Sequence, residues 1–328
     1  MVVTASVRRA FEPWRLLVLF FVLSVLLAGC SSSTTVRPKG PAVNASSAAP
    51  AFPVTVTDDD GVEVTMNAAP ARIITFAPSN TEIVFALGLG SRLVGVSGSF
   101  DNYPPAAKSI EQVGGSGEFG VDPNAEKVVS LHPDLLLAIS GGDQWKQQLR
   151  RLGIAVFTVN AENFDDLLHD IGTVGRLTGA AAEATKLAAQ MSDKARQIQS
   201  EVATEAPVSC FFEAYYPPLT TVGPKTFIFD LLKRAGCDPV SAGAKTDYAE
   251  WSVDKLVEEG PAVYLVASES GVSPGAVTKR PGFSAIAAVA DGKVFLVDSD
   301  LVSRPGPRVV DGLLAFAKVL HPTAVTST

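Results

Sequence analysis

A fifteen-residue pattern occurs twice in the chain. Glu126-Lys-Val-Val-Ser-Leu-His-Pro-Asp-Leu-Leu-Leu-Ala-Ile-Ser140 aligns without a gap onto Asp254-Lys-Leu-Val-Glu-Glu-Gly-Pro-Ala-Val-Tyr-Leu-Val-Ala-Ser268. The two copies share an acid followed by Lys, two apolar residues, a Pro at the same step and a closing apolar run. An apolar run of this kind is a strand buried on both faces, which needs a parallel sheet covered by helices. A unit that recurs so far along the chain calls for two such sheets, hence two similar lobes. The cleft between two lobes is a natural ligand site.

The rest of the chain fits that frame. Val54–Thr57 and Val62–Met66 alternate in period two around Asp58-Asp-Asp-Gly61, a β-hairpin. Arg72–Phe76, Leu93–Val96, Leu135–Ile139 and Val156–Val159 read as strands. Helices are expected near Pro123–Leu131, Trp145–Leu152 and Phe164–Thr178, with Ser79-Asn-Thr-Glu82 as a capping box opening another that closes at Gly88. Ala180–Glu205 contains neither Gly nor Pro and is rich in Ala, Lys, Gln and Glu. It reads as one helix of roughly 38 Å. After Pro207 the rhythm restarts, with strands at Val208–Ala214, Val263–Ala267 and Val294–Val297 and helices at Phe227–Ala235 and Arg308–Leu320. The expected organisation is α/β: an N-terminal lobe over 52–179, a bridging helix over 180–205 and a C-terminal lobe over 206–328.

The N-terminus reads as a targeting segment. Arg8, Arg9 and Arg15 precede the apolar run Leu16–Leu27, which is too short for an ordinary membrane span but suits a signal-peptide core. The run ends in Leu27-Ala28-Gly29-Cys30, which resembles the bacterial lipobox. On that reading 1–29 is a lipoprotein signal peptide and Cys30 carries the lipid. Residues 30–51, mostly Ser, Thr, Pro, Ala and Gly, then form a flexible tether spanning roughly 25 Å. The protein is expected at the cell membrane, anchored on the extracytoplasmic side. Loss of three arginines and Glu12 with the signal would take the formal charge from −7 to −9. That charge, without a Lys/Arg cluster, argues against nucleic acid as a partner. Cys210 and Cys237 are the remaining cysteines. Export permits a disulfide, and two buried thiols are the alternative.

No catalytic motif stands out: there is no Gly-x-Ser-x-Gly, no P-loop and no dinucleotide fingerprint. Three histidines, His132, His169 and His321, are too few and too scattered for a dedicated metal-cargo site. Neither an enzyme nor a resident metal or cofactor is expected.

Several motifs together resemble a known family. These are Pro78-Ser-Asn-Thr-Glu82, Ala86-Leu-Gly-Leu-Gly90, Val94-Gly-Val96, Asn102-Tyr-Pro-Pro105 and Ile110-Glu-Gln-Val-Gly114. They look like the N-lobe of ABC-transporter substrate-binding lipoproteins of the cobalamin, ferric-siderophore and haem binding-protein family, nearest to its cobalamin-binding group. The similarity runs from about residue 54 to 320. It implies the class III periplasmic-binding-protein fold, two Rossmann-like lobes bridged by one long rigid helix. It also implies a monomer that captures a corrinoid and delivers it to an ABC permease and its ATPase, or else serves a ferric siderophore or haem. By position, the resemblance assigns the ligand to Phe100, Tyr215, Tyr216, Tyr248, Asp300 and Arg304, with Phe119 and Trp251 nearby. Permease docking falls on Glu126 and Asp254, where the family's usual second residue is Glu. The family's N-lobe tryptophan has no clear counterpart between Gly114 and Gly120.

Overall fold

The computed structural model describes residues 52–114 and 122–327. Cys30, the apolar run, the tether through residue 51 and Phe119 lie outside the described residues. Strands β1 (Val54–Thr57) and β2 (Glu63–Met66) form the expected antiparallel hairpin. Its turn is closed by Asp58, whose Oδ1 accepts from the Val62 amide at 2.7 Å.

The first sheet holds β3 (Ile73–Thr75), β4 (Leu93–Val96), β5 (Leu135–Ala138) and β6 (Ala155–Thr158) in the order β4-β3-β5-β6, all parallel. The inner strands β3 and β5 are buried at every position, which is why they read as apolar runs rather than alternations. Helices α1 (Pro78–Ala86), α2 (Ala125–Ser130) and α3 (Asp143–Arg151) make the crossovers, and α4 (Phe164–Thr178) follows β6. The capping box expected at Ser79–Glu82 does not form. Helix α1 starts two residues earlier than a Ser79 cap would place it, with Pro in its first turn and Ala77 as an N-cap that offers no side-chain bond. Proline's fixed φ suits that position and its missing N–H costs nothing there. Glu82 is thereby left to find another partner.

Helix α5 spans Ala181–Val202, and buries Ala184, Met191, Ala195, Ile198 and Val202 along one stripe. It packs against α4 at close range, because a Cβ on Gly175 would lie 2.3 Å from the Ala184 Cβ.

The second sheet comprises β7 (Val208–Tyr215), β8 (Thr220–Val222), β9 (Cys237–Pro239), β10 (Tyr248–Glu250), β11 (Val263–Ala267) and β12 (Val294–Val297). Its order is β10-β8-β7-β11-β12, with β9 alongside the start of β7. The centre is parallel, as expected, while β8 and β10 add an antiparallel edge. Helices α6 (Phe227–Arg234), α7 (Val253–Glu259), α8 (Pro274–Val277), α9 (Ala287–Ala290), α10 (Ser299–Val302) and α11 (Val309–Leu320) surround it. Cys210 on β7 and Cys237 on β9 are joined in a disulfide, their Cα atoms 6.0 Å apart.

The duplicated segments adopt the same local structure. Asn124 caps α2 by accepting from the Lys127 amide at 3.0 Å, and Ser252 caps α7 by accepting from the Lys255 amide at 3.2 Å. Each helix ends on a left-handed residue before the shared Pro, His132 at φ 45° in one copy and Gly260 at φ 54° in the other. One continuous apolar core runs from Val56 and Leu137 through Met191 and Ile198 of α5 to Phe212 and Phe316. Both sheets therefore rest on the same packed interior.

Candidate functional site

Parallel sheets present their ligand-bearing loops at the carboxyl ends of the strands. The loop after β4 is drawn into a tight turn by Asp101, whose carboxylate accepts from the Gly98 amide at 2.9 Å and from the Ser97 and Thr81 hydroxyls. The turn presents Phe100, Asn102 and Tyr103. The segment after β12 is set by Asp298, which caps α10 by accepting from the Asp300 amide at 2.9 Å. These two loops meet. Asn102 Nδ2 donates to Asp300 Oδ2 at 3.1 Å, and Arg304 Nη1 donates to Asn102 Oδ1 at 3.0 Å. The carboxyl ends of the two sheets thus face each other across a polar junction.

Two arginines and two carboxylates hold the junction together. Arg304 Nη2 lies 2.5 Å from Asp300 Oδ1, while its Nη1 lies 3.8 Å from Glu82 Oε1. Arg308 grips Glu82 with a two-pronged fork, Nε to Oε2 at 2.9 Å and Nη2 to Oε1 at 2.6 Å. Its guanidinium also sits 4.0 Å from the centre of the Tyr103 ring. Glu82 is only 3% exposed, so its charge needs these partners. The hydrogen bonds that Glu82 accepts hold Arg308 more firmly protonated than a free arginine.

Glu269, in the turn after β11, adds a third carboxylate. Burial raises its pKa, with Asp300 pushing the same way and Arg304 opposing. Tyr248 stands beside it. Its hydroxyl titrates above the ordinary tyrosine range, chiefly through burial, then through Glu269 and Asp247. Yet the Tyr248 side chain leaves the residue 60% exposed.

The residues assigned from sequence fall into two groups. Asp300 and Arg304 are bonded to each other, and Tyr248, on β10, is exposed. Phe100 is 54% exposed in the loop that carries Asn102. Tyr215 ends β7 and is 55% exposed, while Tyr216 follows it, half-buried against the core. The Tyr216 ring meets Phe283 edge-on at 5.8 Å and lies 3.8 Å from the guanidinium of Arg280. Arg280 in turn forks onto the fully buried Glu213 at 2.6 and 2.9 Å, and the Tyr264 hydroxyl donates to the same carboxylate. Trp251 is a core residue, its Nε1 donating to Glu259 at 2.9 Å. Glu126 and Asp254 are exposed in the first turns of α2 and α7, and no hydrogen bond or ion pair engages either among the described residues. No group of three or more His, Cys, Asp or Glu among the described residues is arranged to hold a metal ion.

Glu82, Asn102, Arg308 and Glu269 were not among the residues assigned from sequence. One signal for Glu82 was present: an acid followed by Ile-Val-Phe-Ala-Leu87 on a short helix must be buried, and a buried carboxylate must be paired. Its partner lies 226 residues away and leaves no local trace.

The chain matches the family model described as periplasmic binding protein over residues 73–301. It is 34% identical over 308 residues, 91% of this chain and 94% of the relative, to a Bacillus subtilis protein named as an uncharacterized ABC transporter substrate-binding lipoprotein, YvrC. A Halobacterium salinarum cobalamin-binding protein is 28% identical over 318 residues, covering 93% of this chain and 84% of the relative. Among solved structures, the apo haem-binding protein RhuT from Roseiflexus superposes with a TM-score of 0.68 at 23% identity, over 77% of this chain and all of that one. That last likeness bears on the fold alone. The chain belongs to the periplasmic binding protein family, whose members are solute-binding components of transport rather than enzymes.

Proposed function

We propose that this protein is the lipid-anchored solute-binding component of an ABC importer, and that its cargo is a corrinoid held where the two sheets face each other. The observation that carries the cargo is the charge balance of the junction. Arg304 and Arg308 are matched by Glu82 and Asp300, with Glu269 alongside. Arg280 is committed to Glu213. An anionic ferric chelate or the propionates of haem would need converging unpaired cations, whereas a corrinoid offers a broad, mostly neutral face with amide arms. Accessible rings at Phe100, Tyr215 and Tyr248 suit such a face. The cobalamin-binding relative supports the same cargo.

On this reading Cys30 carries the lipid, the tether lifts the folded body from the membrane, and Glu126 and Asp254 engage the permease. The binding test is direct. The purified mature domain is titrated with cyanocobalamin, haemin and ferric siderophores while tryptophan and tyrosine fluorescence is followed. Saturable binding of cyanocobalamin, tighter than that of the other two, is expected. Saturable binding of haemin or a ferric siderophore without cyanocobalamin binding would overturn the cargo assignment.

A further inference from the structure

Of the carboxylates at the junction, Glu82 is the one that faces both arginines. It comes from α1 of the first lobe, while both arginines it faces come from the segment that precedes α11 of the second. It takes the full fork of Arg308 and stands 3.8 Å from Arg304. Asp300 pairs directly with Arg304. Without the Glu82 charge, the junction would carry two guanidinium groups against Asp300 and a Glu269 whose pKa is already raised.

We propose that Glu82 is the specificity-determining residue for ligand charge: it neutralises the two arginines and so sets the site to accept uncharged ligands over anions. This rests on the reading above that the junction faces the cargo, but not on the cargo being a corrinoid. Glu82 need not touch the ligand. A buried charge acts through several ångströms of protein, where the effective dielectric is well below that of water.

The test uses ligand pairs that differ in charge while keeping their shape. One pair is cyanocobalamin and its monocarboxylic acid, in which one side-chain amide has been hydrolysed. The other is haemin dimethyl ester and haemin. In Glu82→Gln, the affinity ratio of acid to neutral partner should rise on the order of tenfold relative to the unaltered protein, and the gain should fall as salt is added. Glu82→Asp, which keeps the charge, should leave the ratio near its original value. A merely structural role would weaken both members of a pair together, so an unchanged ratio in Glu82→Gln overturns the proposal. If Glu82→Gln does not fold, the double change Glu82→Gln with Arg308→Gln removes a matched pair of charges. Its ratio should then equal that of the unaltered protein, and a raised ratio would overturn the proposal. Binding confined to the haem pair would refute the corrinoid cargo while leaving the role of Glu82 to be decided by the same ratio.

Discussion

Asp170 lies on α4 with only 5% of its surface exposed, and no hydrogen bond reaches its Oδ2 among the described residues. Burial, then the neighbouring charges of Asp59 and Asp166, push its pKa up to about 7. A carboxyl raised above its unfolded value of about 3.9 holds its proton more tightly in the folded state. Its contribution to stability is therefore full below about pH 4 and is lost as pH rises through about 7. Denaturant unfolding should show a decline in stability between about pH 4 and pH 7, and Asp170→Asn should remove most of it, gaining roughly 1–3 kcal/mol at the upper end. A variant with the same slope as the unaltered protein would show that other groups drive it. His132 offers a second residue-scale comparison, because the repeat supplies its own control. It holds φ 45° where the other copy uses Gly260 at φ 54°. A left-handed residue with a side chain costs about 1–2 kcal/mol, part of which glycine returns as lost chain entropy in folding. His132→Gly should raise stability by about 0.5–1 kcal/mol, read as a higher denaturant midpoint at unchanged slope. At this scale little of the junction could be read from the sequence. Asp300 and Arg304 came from resemblance, whereas the pairing of Glu82 with Arg308 exists only once the chain has folded.

Elements were more legible than residues, and unevenly so. Helix α4 and strands β11 and β12 have the bounds expected from sequence, because each combines a clear period or buried run with a sharp stop. The short strands β8, β9 and β10 have three residues apiece, too short for any period to emerge. Strands β8 and β9 form because β7 offers them backbone on one side, β10 then pairs with β8, and the register between β7 and β8 shifts between Glu213 and Tyr215. The same pairing decides the cysteines. Chain patterning leaves two thiols that could bridge or pack; the seating of β9 against β7 brings them to bonding distance. The bridge spans 27 residues, a loop whose closure is worth about 3.5 kcal/mol in the unfolded chain. Replacing both cysteines with Ala should lower stability by about 2–4 kcal/mol in urea titrations, with the far-ultraviolet circular dichroism of the folded state preserved. A loss below about 0.5 kcal/mol would mean that the sheet alone holds β9 in place.

At the scale of the whole molecule, the repeat that made two sheets readable also makes a prediction about transport. Helices α2 and α7 open with the same chemistry, an Asn or Ser cap, then an acid, then Lys, and both acids are exposed. Acids in a first turn complement the helix dipole, but that effect amounts to only about 0.3–1 kcal/mol at an exposed site. It does not by itself call for the same acid in both lobes, whereas two matching carboxylates suit a permease built from two like halves. Exposed ion pairs act mainly on association rate and register, and weaken with salt. Glu126→Arg together with Asp254→Arg should therefore abolish uptake in cells. Ligand affinity of the purified protein should stay within about 0.5 kcal/mol, since neither carboxylate is bonded within the described fold. Each single reversal should give an intermediate loss, because one of two contacts would remain. Uptake at the unaltered rate in the double variant would reduce both acids to helix-start chemistry and move the docking surface elsewhere. A parallel loss of uptake and ligand affinity would instead tie the two helices to the cleft, through the single core that joins the sheets.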